Sequence, residues 1–138
     1  MTETTGDSVL HVQPPFAELV DIRTISVSKE EVVAELLVRK ELTNRNGMLH
    51  GGAIMTLADN VAGTATYQHM TPEQYTVTSE SKTNFFRPVP QGEVLRAVAK
   101  PLHLGRRTMV WQVSLWLSNG RLAAQVTQTQ MVLPFTAD

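Results

Sequence analysis

Apolar and polar residues alternate with period two through most of this chain, the signature of strands with one buried face. The clearest run is 32–38, where Val32, Ala34, Leu36 and Val38 point one way and Glu31, Val33, Glu35, Leu37 and Arg39 the other. Lys29-Glu30 marks a turn between it and an earlier strand at 22–27. Similar segments follow at 75–86, 94–103, 108–117 and 122–133, and Trp111, Val113, Leu115 and Leu117 share one face of theirs. Leu104-Gly105-Arg106 and Ser118-Asn119-Gly120 separate the last three as hairpin turns, Asn-Gly being a strong hairpin signal. Pro88 and Pro90 close the strand at 75–86. Ahead of the strands, Pro14-Pro15 opens a short segment in which Phe16, Leu19 and Val20 have helical spacing.

One stretch breaks the rhythm. Between residues 51 and 67, Ile54, Leu57, Ala58, Val61 and Ala65 fall at i, i+3, i+4, i+7 and i+11, a helical stripe. Its far side carries Thr56, Asn60, Gly63 and Thr64 where a solvated helix would carry Lys and Glu. In a chain that is 18% charged, a stretch of this length would hold about three charges; it holds one, Asp59. Such a helix is covered on most sides. The expected architecture is α+β, one long helix wrapped by an antiparallel sheet with its remaining face against another body, such as a second subunit. The first 13 residues are polar and aperiodic and are expected to be loosely ordered, with one domain over 14–138.

Composition narrows the function. The 138 residues suffice for an ordinary core, and the absence of cysteine excludes disulfides, thiolate metal sites and a cysteine nucleophile. A net charge of −1 with no Lys/Arg run argues against nucleic acid as a partner. No apolar stretch is long enough to span a membrane, and the first ten residues lack a basic segment followed by an apolar one, so a cytoplasmic protein is expected.

Asp59 lies about 140° round the helical wheel from Ile54, off the main stripe. A lone carboxylate on an uncharged, covered helix is either a hydrogen-bonded structural acid or a reactive group, and the pattern alone leaves both open. His50-Gly51-Gly52 opens the helix. Two glycines there leave bare N–H groups at the positive end of the helix dipole, but for Gly-Gly alone a tight turn with glycine at the cap is the better explanation. Asn44 and Asn46-Gly47 signal a loop. His11, His69 and His103 have no partners at ligand spacing, and His69 just past the helix suits its C-terminal dipole. His50 and Asp59 are nine residues apart, so no helix-face metal pair is expected.

In combination these residues resemble a known family. Asn44-x-x-Gly47-x-x-His50-Gly51-Gly52 with Asp59 nine positions after the histidine is similar to the hotdog-fold acyl-CoA thioesterases of the phenylacetate-pathway (PaaI-like) group. Val77-Thr78, Asn84-Phe85-Phe86-Arg87-Pro88-Val89, Gly92-Glu93 and Leu104-Gly105-Arg106 follow in that family's order, and the resemblance spans roughly residues 14–133. It implies a hotdog fold. Asp59 is then the catalytic carboxylate, nucleophile or general base, and the Gly51 N–H polarises the thioester carbonyl. Asn44 helps to place that carbonyl, His50 supports it, and Thr78 helps to orient water beside the aspartate. One subunit supplies the loop and helix start while its partner supplies the aspartate, in a dimer or dimer of dimers. No cofactor and no metal are implied.

The chemistry is consistent. Thioester hydrolysis needs a donor at the developing oxyanion and a base or nucleophile on the other side of the carbonyl, which Gly51 and a partly desolvated Asp59 would supply. Arg87, Arg106 and Arg107 are candidate contacts for the coenzyme A phosphates, or solvated sheet-edge arginines. Ser79, Ser81 and Thr83 stand where relatives carry apolar residues; they should face one side of their strand, and Glu80 and Lys82 the other. The competing readings are a non-catalytic acyl-CoA-binding sensor and a dehydratase or hydratase on the same fold.

Overall fold

The six period-two segments pair into one antiparallel sheet in the order β1-β2-β4-β5-β6-β3. The computed structural model describes residues 12–136. In chain order come α1 (Pro15–Leu19), β1 (Arg23–Val27), β2 (Val32–Leu37), a 3-10 turn (Lys40–Leu42), α2 (Gly51–Tyr67), β3 (Gln74–Phe85), β4 (Val94–Leu104), β5 (Thr108–Trp116) and β6 (Leu122–Pro134). The expected α+β arrangement forms, and each strand ends within one residue of its sequence-based limits. His11 and most of the segment expected to be loose lie outside the described residues.

The sheet wraps α2 because both surfaces are shaped for it. The helix buries Ile54, Leu57, Ala58, Val61, Ala62 and Ala65, and the sheet meets them with Leu36, Leu95, Trp111, Val113, Leu115 and Val126. Alanines at 34, 97, 99 and 124 are also buried there, and their small side chains let the helix settle close to the strands. Register shifts in β1, β3 and β4 mark irregularities that bend and twist the ladder, as bulges do. The shift in β4 falls beside Pro101, a residue that cannot donate to a regular ladder. At the β4–β5 turn only glycine fits: a Cβ on Gly105 would stand 2.7 Å from His103 Nε2 and 2.9 Å from the Thr108 carbonyl oxygen.

Helix and sheet are also tied by one buried polar link. The Trp111 Nε1–H donates to Thr66 Oγ1 at 2.8 Å, and Thr66 donates to the Ala62 carbonyl at 2.9 Å. His69 packs on Trp111 with ring centroids 5.9 Å apart and contacts the Lys29 carbonyl oxygen at 3.0 Å through Nε2, so it closes the end of the core. Leu117 is only half-buried, because β5 ends one residue before it.

Candidate active site

The loop before α2 is built by Asn44. Its Oδ1 accepts from the N–H groups of Asn46 (2.9 Å) and Met48 (3.1 Å), and its own N–H donates to the Met48 carbonyl at 2.7 Å. Gly47 completes the turn at φ 78°, a left-handed conformation that disfavours a side chain. The Asn44-x-x-Gly47 spacing is therefore turn chemistry first, with the Asn44 Nδ2 left to face outward. His50 caps the helix: its Nδ1 accepts from the Gly52 N–H at 2.9 Å, which puts the ring proton of the neutral imidazole on Nε2. The Gly51 N–H takes no partner among the described residues. It opens on a cavity of about 410 Å³ lined by Asn44, Phe85 and Arg87 among others.

Asp59 stands two turns further on. Eight residues of helix separate it from Gly51, about 12 Å of rise. It lines a different and larger cavity, about 750 Å³, whose walls include Gln13, Asn60, Gly63, Thr76 and Thr78. Within the single chain Asp59 is exposed: the helix face around it, with Met55 and Tyr67, is not covered by the chain's own sheet. One side chain holds it. Thr78 donates from Oγ1 to Asp59 Oδ1 at 2.6 Å. The ion pairs among the described residues, Arg23–Asp21, Arg96–Glu35 and Lys100–Glu31, do not involve Asp59.

One chain thus brings Asp59 to Thr78, and Asn44 and His50 to the Gly51 amide, but keeps the two groups apart. The arginines are also dispersed. Arg87 lines the Gly51 cavity and donates to the Leu122 carbonyl at 2.7 Å, whereas Arg106 borders a separate cavity with His69, past the other end of α2. Arg106 and Arg107 are exposed in the β4–β5 turn. Among the described residues no three His, Asp or Glu side chains gather as a metal site, and no helix is long and apolar enough to cross a membrane.

Two kinds of residue escaped the sequence reading. Gln13 reaches from the N-terminal segment to the Thr24 hydroxyl (2.8 Å) and accepts from Asn60 Nδ2 (3.0 Å), fixing a wall of the Asp59 cavity. Gln128 and Gln130 are fully buried polar side chains on β6. Their signal was two glutamines two apart on the otherwise apolar inward face of the strand, facing Ser81 and Thr78 across the ladder. That pairing explains the polar choice at Thr78 and Ser81, whereas the buried Thr83 hydroxyl has no hydrogen-bond partner among the described residues. The register shift between Thr78 and Glu80 puts Thr78, Ser81 and Thr83 opposite Gln130, Gln128 and Val126, all on the inner face. Ser79 does not join that face as expected; it occupies the irregularity itself, exposed.

A little-charged helix cradled by a bent antiparallel sheet, with a bare amide at its start and a carboxylate midway, defines a hotdog-fold thioesterase. Residues 46–124 match the thioesterase superfamily. Over 113 residues the chain is 35% identical to 1,4-dihydroxy-2-naphthoyl-CoA hydrolase of Escherichia coli, covering 82% of each. The crystal structure of a mutant thioesterase PA1618 from Pseudomonas aeruginosa superposes with a TM-score of 0.87 at 27% identity, over 98% of this chain and 97% of the other. That of smu.793 from Streptococcus mutans, bound to acetyl CoA, superposes with a TM-score of 0.76 at 26% identity, over 84% and 91%. The chain belongs to the thioesterase superfamily and is a thioester hydrolase.

Proposed function

We propose that the protein hydrolyses acyl-CoA thioesters, aryl-acyl or medium-chain, in active sites shared between two copies of the chain. The observation that carries this reading is the 12 Å, roughly, between the Gly51 amide and Asp59 along one rigid helix. An oxyanion donor and a base acting on one carbonyl each stand about 3 Å from its atoms, so two groups twice too far apart cannot serve the same carbonyl. A second copy that sets its Asp59 face against the Gly51 cavity completes the site. It also covers the exposed Met55 and Tyr67. The CoA-bound neighbour and the CoA-hydrolase relative support coenzyme A as the thiol.

In this reading the carbonyl oxygen accepts from the Gly51 N–H, with the Asn44 Nδ2 beside it and His50 holding the helix start. On the opposite side Asp59 takes a proton from water, whose oxygen bonds to the carbonyl carbon as the C=O pair moves onto oxygen. Collapse expels the coenzyme A thiolate, which takes the proton back from Asp59. Direct attack by the carboxylate would instead pass through an anhydride. A single turnover in ¹⁸O water identifies the direct route when label enters Asp59, because water reaches that carboxyl carbon only through an anhydride. Of Arg87, Arg106 and Arg107, Arg87 is the one on the Gly51 side and is the first of the three to test for a coenzyme A phosphate.

The test is thiol release from phenylacetyl-CoA, 4-hydroxybenzoyl-CoA and octanoyl-CoA. Steady turnover of at least one is expected, abolished in Asp59→Asn. Tight binding without turnover would mark an acyl-CoA sensor, and hydration of a 2-enoyl-CoA would mark a hydratase.

A further inference from the structure

The geometry points to Gln130 as a positioning residue that fixes the direction of the Thr78 hydroxyl and so leaves Asp59 Oδ2 as the reacting oxygen. The inference rests on Asp59 acting as base or nucleophile. It starts from proton counting. An ionised carboxylate can only accept, so the 2.6 Å contact between Thr78 and Asp59 Oδ1 requires the Thr78 proton. A hydroxyl has one proton, so every other partner of Thr78 Oγ1 must donate to it. The partner is Gln130 Nε2, at 2.8 Å.

Gln130 meets this demand because its amide cannot turn over alone. Its second Nε2 proton goes to Gln128 Oε1, and its Oε1 faces the Thr76 hydroxyl at 2.8 Å, whose one proton also has the Met131 carbonyl within reach at 2.9 Å. Gln128 Nε2 in turn donates to Ser81 Oγ at 3.0 Å. Flipping Gln130 would oppose two carbonyl oxygens at the Gln128 contact and two acceptors at Thr78. Both glutamines are buried to within 1% of full burial, so water cannot substitute for a lost partner. A chain of donors therefore runs from the sheet interior to the surface carboxylate and ends on Oδ1. Oδ2 carries no partner among the described residues and is the oxygen free to meet water or the carbonyl.

The experiment compares Gln130→Met, Thr78→Val, the double variant and Asp59→Asn, using the fastest of the three panel acyl-CoAs. Methionine keeps the volume and removes the donor. In Gln130→Met, kcat should fall about tenfold to a hundredfold with KM nearly unchanged, the cost of a reacting group that is present but misaligned. Thr78→Val should show a similar loss, and adding Gln130→Met to it should cost nothing further, because Gln130 acts only through Thr78. A residue serving only the packing of β6 would give additive losses, and that result overturns the proposal. So does parental kcat in Gln130→Met while Asp59→Asn is inactive. Parental turnover in Asp59→Asn removes the underlying reading, and this inference with it. Should Gln130→Met fail to fold, Thr76→Val releases the other end of the same amide from a half-exposed site, and the same non-additivity with Thr78→Val is required of it.

Discussion

At Gly51 the amide and the side-chain space can be altered separately. A Cβ there would meet only the Phe85 ring, at an ordinary 3.5 Å, so Gly51→Ala keeps the N–H and should retain most of the parental kcat. Gly51→Pro removes the N–H at the first helical position, where proline is well tolerated, so the fold should hold while kcat falls by about 10²-fold or more. Thiol release and melting temperature on both variants check this; equal activities would place the oxyanion elsewhere. Asp59→Asn is the complementary change. The amide oxygen can still accept from Thr78, so stability should stay within about 1 kcal/mol of the parent while turnover drops roughly 10²–10⁴-fold. Affinity for the CoA thioester should persist, since the Gly51 and Asn44 groups remain.

At the level of elements, the join between α2 and the sheet is testable through Thr66. Valine at that position leaves the Trp111 N–H buried without an acceptor, which should cost about 1–3 kcal/mol of stability with kcat little changed. Denaturant unfolding and turnover on one preparation would show it. The elements themselves were legible in the sequence. The period-two runs and the single helical stripe located every strand to within a residue and α2 over its full length, because most of them carry one clean apolar face, β3 with its inward Thr78, Ser81 and Thr83 excepted. Candidate chemistry was legible as far as local spacing reaches: Asn44 and Gly47 in one turn, His50 at a cap, Asp59 as the odd charge. What the sequence hid depends on register. The Thr78–Gln130 pairing joins residues far apart in the chain, and the irregularity at Ser79 has no local marker such as glycine or proline. The exposure of Asp59 was hidden for another reason: a helix poor in charge reads alike whether its own sheet or another chain covers it.

For the molecule as a whole, a shared site makes a quantitative demand on mixtures. Asp59→Asn and Gly51→Pro proteins are each expected to be inactive. If each site draws Gly51 from one copy and Asp59 from the other, unfolding and refolding an equal mixture makes half the dimers mixed, each with one intact site. Activity should return to about a quarter of the parental value. Sites complete within one chain would return nothing. Sedimentation or light scattering on the parent should find at least a dimer, and a fully active monomer of 15.3 kDa would contradict the shared site.

The irregularity in β3 has a consequence for how such a site can drift over generations. Because Ser79 is an uncounted residue, the strand behaves like a reading frame: Thr78 and Ser81 share a face only while Ser79 takes no place in the ladder. Single substitutions at Ser79 leave the frame intact and should be absorbed freely. Deleting Ser79 would leave a regular ladder with Ser81 and Thr83 still facing inward, whereas drawing Ser79 into the ladder would turn them outward and bring Glu80 and Lys82 against the buried glutamines. Descendants of this chain can therefore vary or lose the letter at Ser79, but cannot add a paired residue beside it unless a second length change restores the phase.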